Sequence, residues 1–163
     1  MSDRGDPVSG KDPERTVAVT AARIRTARDD LTTAAGGRLD AVSVGTPHFS
    51  VEELRELIEL LDGRRVSDGL PLYVSTHRQT LQEVAPLGWA ERLERAGVRL
   101  VVDTCTYITP ILAPGTSVVM TNSGKWAYYA PGNLGVEVVF GSLEECVSSA
   151  VEGRVVRDDD LWS

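Results

Sequence analysis

The reactive side chains of this sequence are few, and they cluster. The chain has two histidines and two cysteines in 163 residues. His48 lies in Gly45-Thr46-Pro47-His48, His77 in Ser75-Thr76-His77-Arg78, and Cys105 in Asp103-Thr104-Cys105-Thr106-Tyr107. Each stretch follows an apolar, β-prone run. A fourth stretch, Thr121-Asn122-Ser123-Gly124-Lys125, has the same setting. A thiol among hydroxyls has three uses. As a nucleophile, Cys105 would need a histidine base, His48 or His77, held by a third group such as Asp103. As a ligand, its thiolate would suit iron, although a lone cysteine cannot hold an iron–sulfur cluster, which takes about three or four ligands. As a small core residue it would need an apolar row, and Thr104, Thr106 and Tyr107 are not one. Spacing alone leaves nucleophile and ligand both open. Cys146 reads differently, because Leu143, Cys146, Val147, Ala150 and Val151 form a helical core stripe.

The remaining polar groups suit an anionic ligand. Backbone N–H groups at helix starts, with Arg78 and Lys125, can hold a carboxylate or phosphate. Asn122, Ser123 and Thr104 add amide and hydroxyl groups beside them. Each has a plainer reading: Thr-Asn-Ser-Gly is also a turn sequence, and His77 is also a solvent-facing first-turn residue. Trp126, Tyr128 and Tyr129 fit either the core or a pocket wall.

These stretches must be positioned by the elements around them. Strands are expected at 17–19, 39–44, 70–74, 98–102, 116–120 and 136–140. Thr20 can cap a helix with Ile24, Ala27 and Leu31 on one face. Ser50-Val51-Glu52-Glu53 is a capping box; its helix buries Val51, Leu54, Leu57, Ile58 and Leu61, with Phe49 stapled to Leu54 and Gly63 closing it. Residues 76–96 are mostly helical, with a break near Pro86. Ser142-Leu143-Glu144-Glu145 opens a last helix by a second capping box. Strand alternating with helix predicts an α/β fold: a three-layer, open, mainly parallel sheet with helices on both faces. Ligands bind beyond the carboxyl ends of the strands in such sheets, and all four polar stretches fall there. The loops at the opposite edge, Gly36-Gly37 and Gly63-Arg64, carry nothing comparable. Residues 1–15 are expected to be a flexible tail, 16–157 the folded domain, and 158–163 a C-terminal tail.

Composition excludes several classes. Net charge is −7 and the pI is about 4.8, which argues against a nucleic-acid partner. Arg64-Arg65, the one adjacent basic pair, fits an exposed helix end. No apolar run nears the roughly 20 residues needed to cross a bilayer, and the polar start has no apolar core of a secretory signal. Two cysteines make no disulfide framework, so a reducing cytoplasm is expected.

The strings GTPHFSVEEL, VVDTCTYITPIL, TNSGKWAYYAPG and VEVVFGSLEECV together resemble the aconitase X family, over most of residues 16–157. What they resemble is the C-terminal part of the family's large subunit. The resemblance implies an aconitase-like domain of a dehydratase that removes water from a small hydroxy acid. It implies an iron or iron–sulfur centre shared with residues outside this chain. Cys105, in Asp-Thr-Cys, matches a cysteine taken to bind that centre. Thr46 stands where relatives often carry cysteine, and a hydroxyl is a poor substitute for thiolate on iron. Asn122, Ser123 and Lys125 match a loop expected to bind substrate. The favoured substrate is cis-3-hydroxy-L-proline; mevalonate 5-phosphate is the alternative, as is an inactive binding or regulatory module of the same fold. The resemblance also implies partners, namely the rest of the large subunit and a small swivel subunit supplying the catalytic serine. The chain alone is then expected to be inactive.

Overall fold

The computed structural model describes residues 15–35 and 37–162. Its centre is one sheet of five parallel strands: β1 (Ala41–Phe49), β2 (Leu72–Thr76), β3 (Val98–Val102), β4 (Val118–Thr121) and β5 (Glu137–Phe140). Their order is β3-β2-β1-β4-β5. The strands are flanked by helices α1 (Ala21–Leu31), α2 (Val51–Leu61), α3 (Arg78–Val84), α4 (Trp89–Arg95), α5 (Gly124–Leu134) and α6 (Leu143–Glu152). The expected α/β class and the helices on both faces are observed.

Strand alternation builds two cores. Val42, Val44, Leu72, Val74 and Met120 point to one face, where they meet α2 and α6. Ala41, Tyr73, Val101, Val119 and Val138 point to the other, against Trp126, Ala127 and Ala130 of α5. Every residue of β2 is buried, as a strand covered on both faces requires. Both expected capping boxes form. The hydroxyls of Ser50 and Ser142 accept from the N–H groups of Glu53 and Glu145, whose carboxylates accept in return. Each such cap contributes about 1 kcal/mol. The long helix breaks as expected: α3 ends at Val84, a 3₁₀ turn spans Ala85–Leu87, and α4 restarts after Gly88.

Several expectations change. Residues 17–19 form no strand; Val17 and Val19 are exposed. The nearest sheet edge is already occupied. Thr33 and Ala34 donate their N–H groups to the Val138 carbonyl at 2.8 and 3.1 Å, and the Thr33 and Thr32 hydroxyls accept from Val138 and Phe140 N–H. Helix α1 buries no residue completely, so its apolar stripe is only partly used. Strand β1 runs on to Phe49, taking in the polar stretch expected to follow it. Residues 158–162 are not a loose tail. Glu145, almost fully buried, accepts from Asp158 N–H and faces Arg157 at 3.5 Å. Arg25 donates to the Trp162 carbonyl at 2.7 Å, and the Arg28 guanidinium lies over the Trp162 ring. The expected N-terminal tail, apart from Arg15, lies outside the described residues. Among the described residues, the outer edge of β3 pairs with no further strand. No described helix is long and apolar enough to cross a membrane.

Candidate functional site

The strand order reverses between β1 and β4. From β1 the chain passes through α2 to β2 on one side; from β4 it passes through α5 to β5 on the other. The loops diverge there and leave a crevice, the place where parallel sheets bind ligands. A cavity of about 140 Å³ occupies it. Thr46, Pro47 and His48 form one wall, Asn122 and Ser123 the other, and Glu53 closes an end.

The backbone is tightly built. Gly45 has φ +83°, and a Cβ there would sit 2.4 Å from the Ser75 carbonyl oxygen. Only glycine allows β1 to bend this closely over β2. The pairing register shifts between Val44 and Phe49, and the Thr46–Pro47 peptide is cis. The Ser123 hydroxyl donates to the Thr46 carbonyl at 2.8 Å and accepts from Trp126 N–H at 3.2 Å. Ser123 thus caps α5 and joins the two walls. Its hydroxyl belongs to the frame rather than standing free for substrate, as the sequence had suggested.

What the frame presents is unsatisfied. Thr46 Oγ1, His48 Nε2 and Asn122 Oδ1 are buried atoms with no hydrogen-bond partner. Ser75 Oγ, on the neighbouring strand, is another. An unmade bond at a buried polar atom costs about 1–3 kcal/mol, and three residues lining one cavity each carry such an atom. Burial first, and then the neighbouring His77, push His48 below its ordinary value, while Asp103 acts the other way. His48 is therefore neutral at pH 7.

The histidines lie together, ring centroids 3.9 Å apart and stacked. His77 Nδ1 faces Asp103 Oδ1 at 3.8 Å. Asp103 sits in the left-handed region at φ 58°. It accepts from Arg78 N–H at 3.0 Å and pairs closely with the Arg78 guanidinium. These bonds from Arg78 hold the Asp103 carboxyl below the usual carboxylate range. Asp103 thus gathers the ends of β2 and β3. Spacing pointed to Asp103 only as a possible histidine partner; its hold on Arg78 depends on strand pairing and was not legible.

Cys105 is almost fully buried and shares the second core with Val101, Tyr107 and Trp126. It does not line the cavity, and its thiol bonds neither histidine. The crossing loop is fixed beside it: Thr106 Oγ1 lies 2.6 Å from Ser43 Oγ and accepts from Trp126 Nε1 at 2.8 Å. Trp126 is thus core, while Tyr128 and Tyr129 are exposed. Thr104 bonds Thr109 across the loop at 2.6 Å, which commits its hydroxyl. Lys125 is exposed in the first turn of α5, outside the cavity. Cys146 is fully buried, and burial pushes its thiol far up, so it is inert as expected. Among the described residues, no three His, Cys, Asp or Glu side chains gather as a metal site would require. The Cys105 thiol lies in the core, apart from the unpaired atoms of Thr46, His48 and Asn122, so a metal centre would need ligands from outside this chain.

The profile of the aconitase X third domain matches residues 39–152, which include every wall of this crevice. The chain belongs to the aconitase X family. The cis-3-hydroxy-L-proline dehydratase of Pseudomonas aeruginosa is 39% identical over 162 residues, covering 98% of this chain and 28% of the relative. The phosphomevalonate dehydratase large subunit of Methanosarcina mazei is 31% identical over 150 residues, covering 92% and 35%. The crystal structure of Thermococcus kodakaraensis aconitase X, in its holo-form, superposes with a TM-score of 0.70 at 27% identity, over 85% of this chain and 35% of that one. The chain thus spans about a third or less of these aconitase X relatives.

Proposed function

We propose that this chain forms one wall of the active site of an aconitase X-type hydro-lyase acting on cis-3-hydroxy-L-proline. The observation that carries the reading is the crevice at the strand-order reversal, where Thr46, His48 and Asn122 present unpaired buried atoms to one cavity. Its size supports a shared site, because about 140 Å³ is less than a ligand pocket of roughly 300 Å³ or more. The remaining wall comes from the rest of the large subunit, and the small swivel subunit closes over it with the catalytic serine. The assembly works in the reducing cytoplasm.

Within this chain each group takes a role that its position supports. Asn122 and Thr46 hydrogen-bond the substrate's polar edge. Neutral His48 accepts or donates one bond beside them, its ring held by His77. Asp103 positions Arg78 and His77 at the mouth, where Arg78, with Lys125, offsets the carboxylate charge. Cys105 would contribute a thiolate to the iron centre, the other ligands coming from outside this chain. Bound iron would supply Lewis acidity toward the departing hydroxyl or the carboxylate.

The test is reconstitution. The 163-residue chain is purified alone and together with the missing parts of the large subunit and the small subunit. Each sample is assayed for water elimination from cis-3-hydroxy-L-proline and from mevalonate 5-phosphate, and for iron. Turnover of hydroxyproline by the assembly alone is expected, with iron lost in Cys105→Ser. Robust turnover by the isolated chain, or an inactive assembly that folds and binds iron, would overturn the proposal.

A further inference from the structure

We infer that a basic cavity at the opposite edge of the sheet is a docking site for an acidic polypeptide segment with an apolar anchor. The cavity measures about 290 Å³ and lies between the C-terminal ends of α2 and α4, away from the strand-end crevice. Its floor is Ile58, Leu61 and Leu93, all buried. Its rim is Arg64, Arg65, Arg92 and Arg95. By sequence Arg64-Arg65 fits an ordinary helix end; the fold adds two further arginines from a helix some thirty residues on.

Two of the four guanidiniums are held by helix-end carbonyls. Arg64 donates to the Leu60 and Leu61 carbonyls at 2.7 and 3.2 Å, and Arg65 to the Arg95 carbonyl at 2.8 Å. These bonds answer the exposed carbonyls of the last turns and fix two guanidiniums in place. Arg92 and Arg95, in the last turn of α4, make no such bonds. Among the described residues, their guanidiniums make no hydrogen bond or ion pair. No carboxylate lines the cavity, in a chain with 24 acidic and 17 basic residues. Four like charges around one cavity repel each other until a counter-charge arrives.

The shape selects the partner. An apolar floor gains nothing from a bare anion, but it can bury an aliphatic or aromatic side chain. Charges spread over two helix ends match several carboxylates in a row better than one. The relatives that this chain matches carry further polypeptide, since it covers 28% and 35% of their length. Arginine forks then pair with carboxylates around the anchor, a polar rim about an apolar centre. The inference stands apart from the strand-end site and from the proposed reaction.

The test uses the full chain and a fluorescein-labelled peptide with a central leucine flanked by glutamates. Anisotropy is followed at about 50 mM and 300 mM salt, where screening separates charge from apolar contact. Binding at low salt is expected, tenfold or more weaker at high salt, for a leucine-to-serine peptide, and for Arg92→Glu/Arg95→Glu. Both arginines are exposed, and circular dichroism checks that the variant folds. If the double variant unfolds, Arg92→Gln alone must weaken binding at least threefold. Absence of binding by the parent chain, or equal binding by the variants, refutes the inference. So does displacement of the peptide by submillimolar inorganic phosphate, which would make the cavity a small-anion site.

Discussion

At the scale of single residues, the site separates groups left unpaired beside the cavity from groups that hold the frame. Thr46, His48 and Asn122 belong to the first set, and Ser123, Thr104, Thr106 and Asp103 to the second. His48→Ala or Asn122→Ala is expected to lower kcat/KM of the assembled enzyme by about a hundredfold without lowering the thermal midpoint. A midpoint drop matching the activity loss would move these residues to the frame. Thr106→Val does the reverse. It leaves Ser43 Oγ and Trp126 Nε1 buried and unpaired, which destabilises by about 2 kcal/mol or more; an unchanged denaturation midpoint would contradict this. Asp103→Asn keeps a residue type that tolerates the left-handed backbone and removes one negative charge. Because that charge raises the His48 pKa, the pKa should fall further in the variant, as read by NMR titration. The residue types of the site were legible in the sequence, since strand ends and polar loops are local signals. Which hydroxyls were already committed was not, because Ser43 and Thr106 are 63 positions apart.

At the scale of elements, two joints carry the geometry. Gly45 lets β1 lean on β2, so Gly45→Ala forces a Cβ against the Ser75 carbonyl in a backbone region that favours glycine. A loss of about 2–4 kcal/mol is expected from chemical denaturation. The second joint is Asp40, which precedes β1 and accepts from the N–H groups of Ser117 and Val118 at the start of β4. Burial raises its pKa, but Arg38 and those two N–H groups outweigh burial and leave it below the ordinary 3.8. A carboxyl depressed on folding adds stability above its unfolded pKa and loses it as pH falls through the folded value. Asp40→Asn should therefore destabilise at pH 7 and flatten the decline of stability below about pH 4. An acid transition identical to the parent's would show that Asp40 does not contribute. Helix α2 and helix α6 were legible because a capping box spans four residues. The segment at 17–19 misled for the same reason: its residues suit a strand, but the edge it needed is taken by Thr32–Ala34.

At the scale of the whole molecule, the C-terminal segment acts as a strap. The buried Glu145 and the partly exposed Arg157 form a pair that ties residues 155–162 to β5 and α1. Removing the guanidinium leaves the Glu145 carboxylate with its backbone N–H partners but without its cation, and destabilises by about 1–3 kcal/mol. Arg157→Ala should thus lower the unfolding midpoint and strip hydrogen-exchange protection from residues 155–162; protection equal to the parent's would argue against the strap. The fold class and crevice were readable because alternation and strand-end polarity repeat along the chain. The strap and the basic cavity were not, because they join residues distant in sequence. The two borders of the sheet differ in a further way. Thr32–Ala34 seals β5, whereas β3 offers its outer backbone groups to no described neighbour. Strand-to-strand growth needs two open borders per copy to continue. With one border sealed, contact through β3 ends at a closed pair, so this sheet cannot seed a fibre by that route.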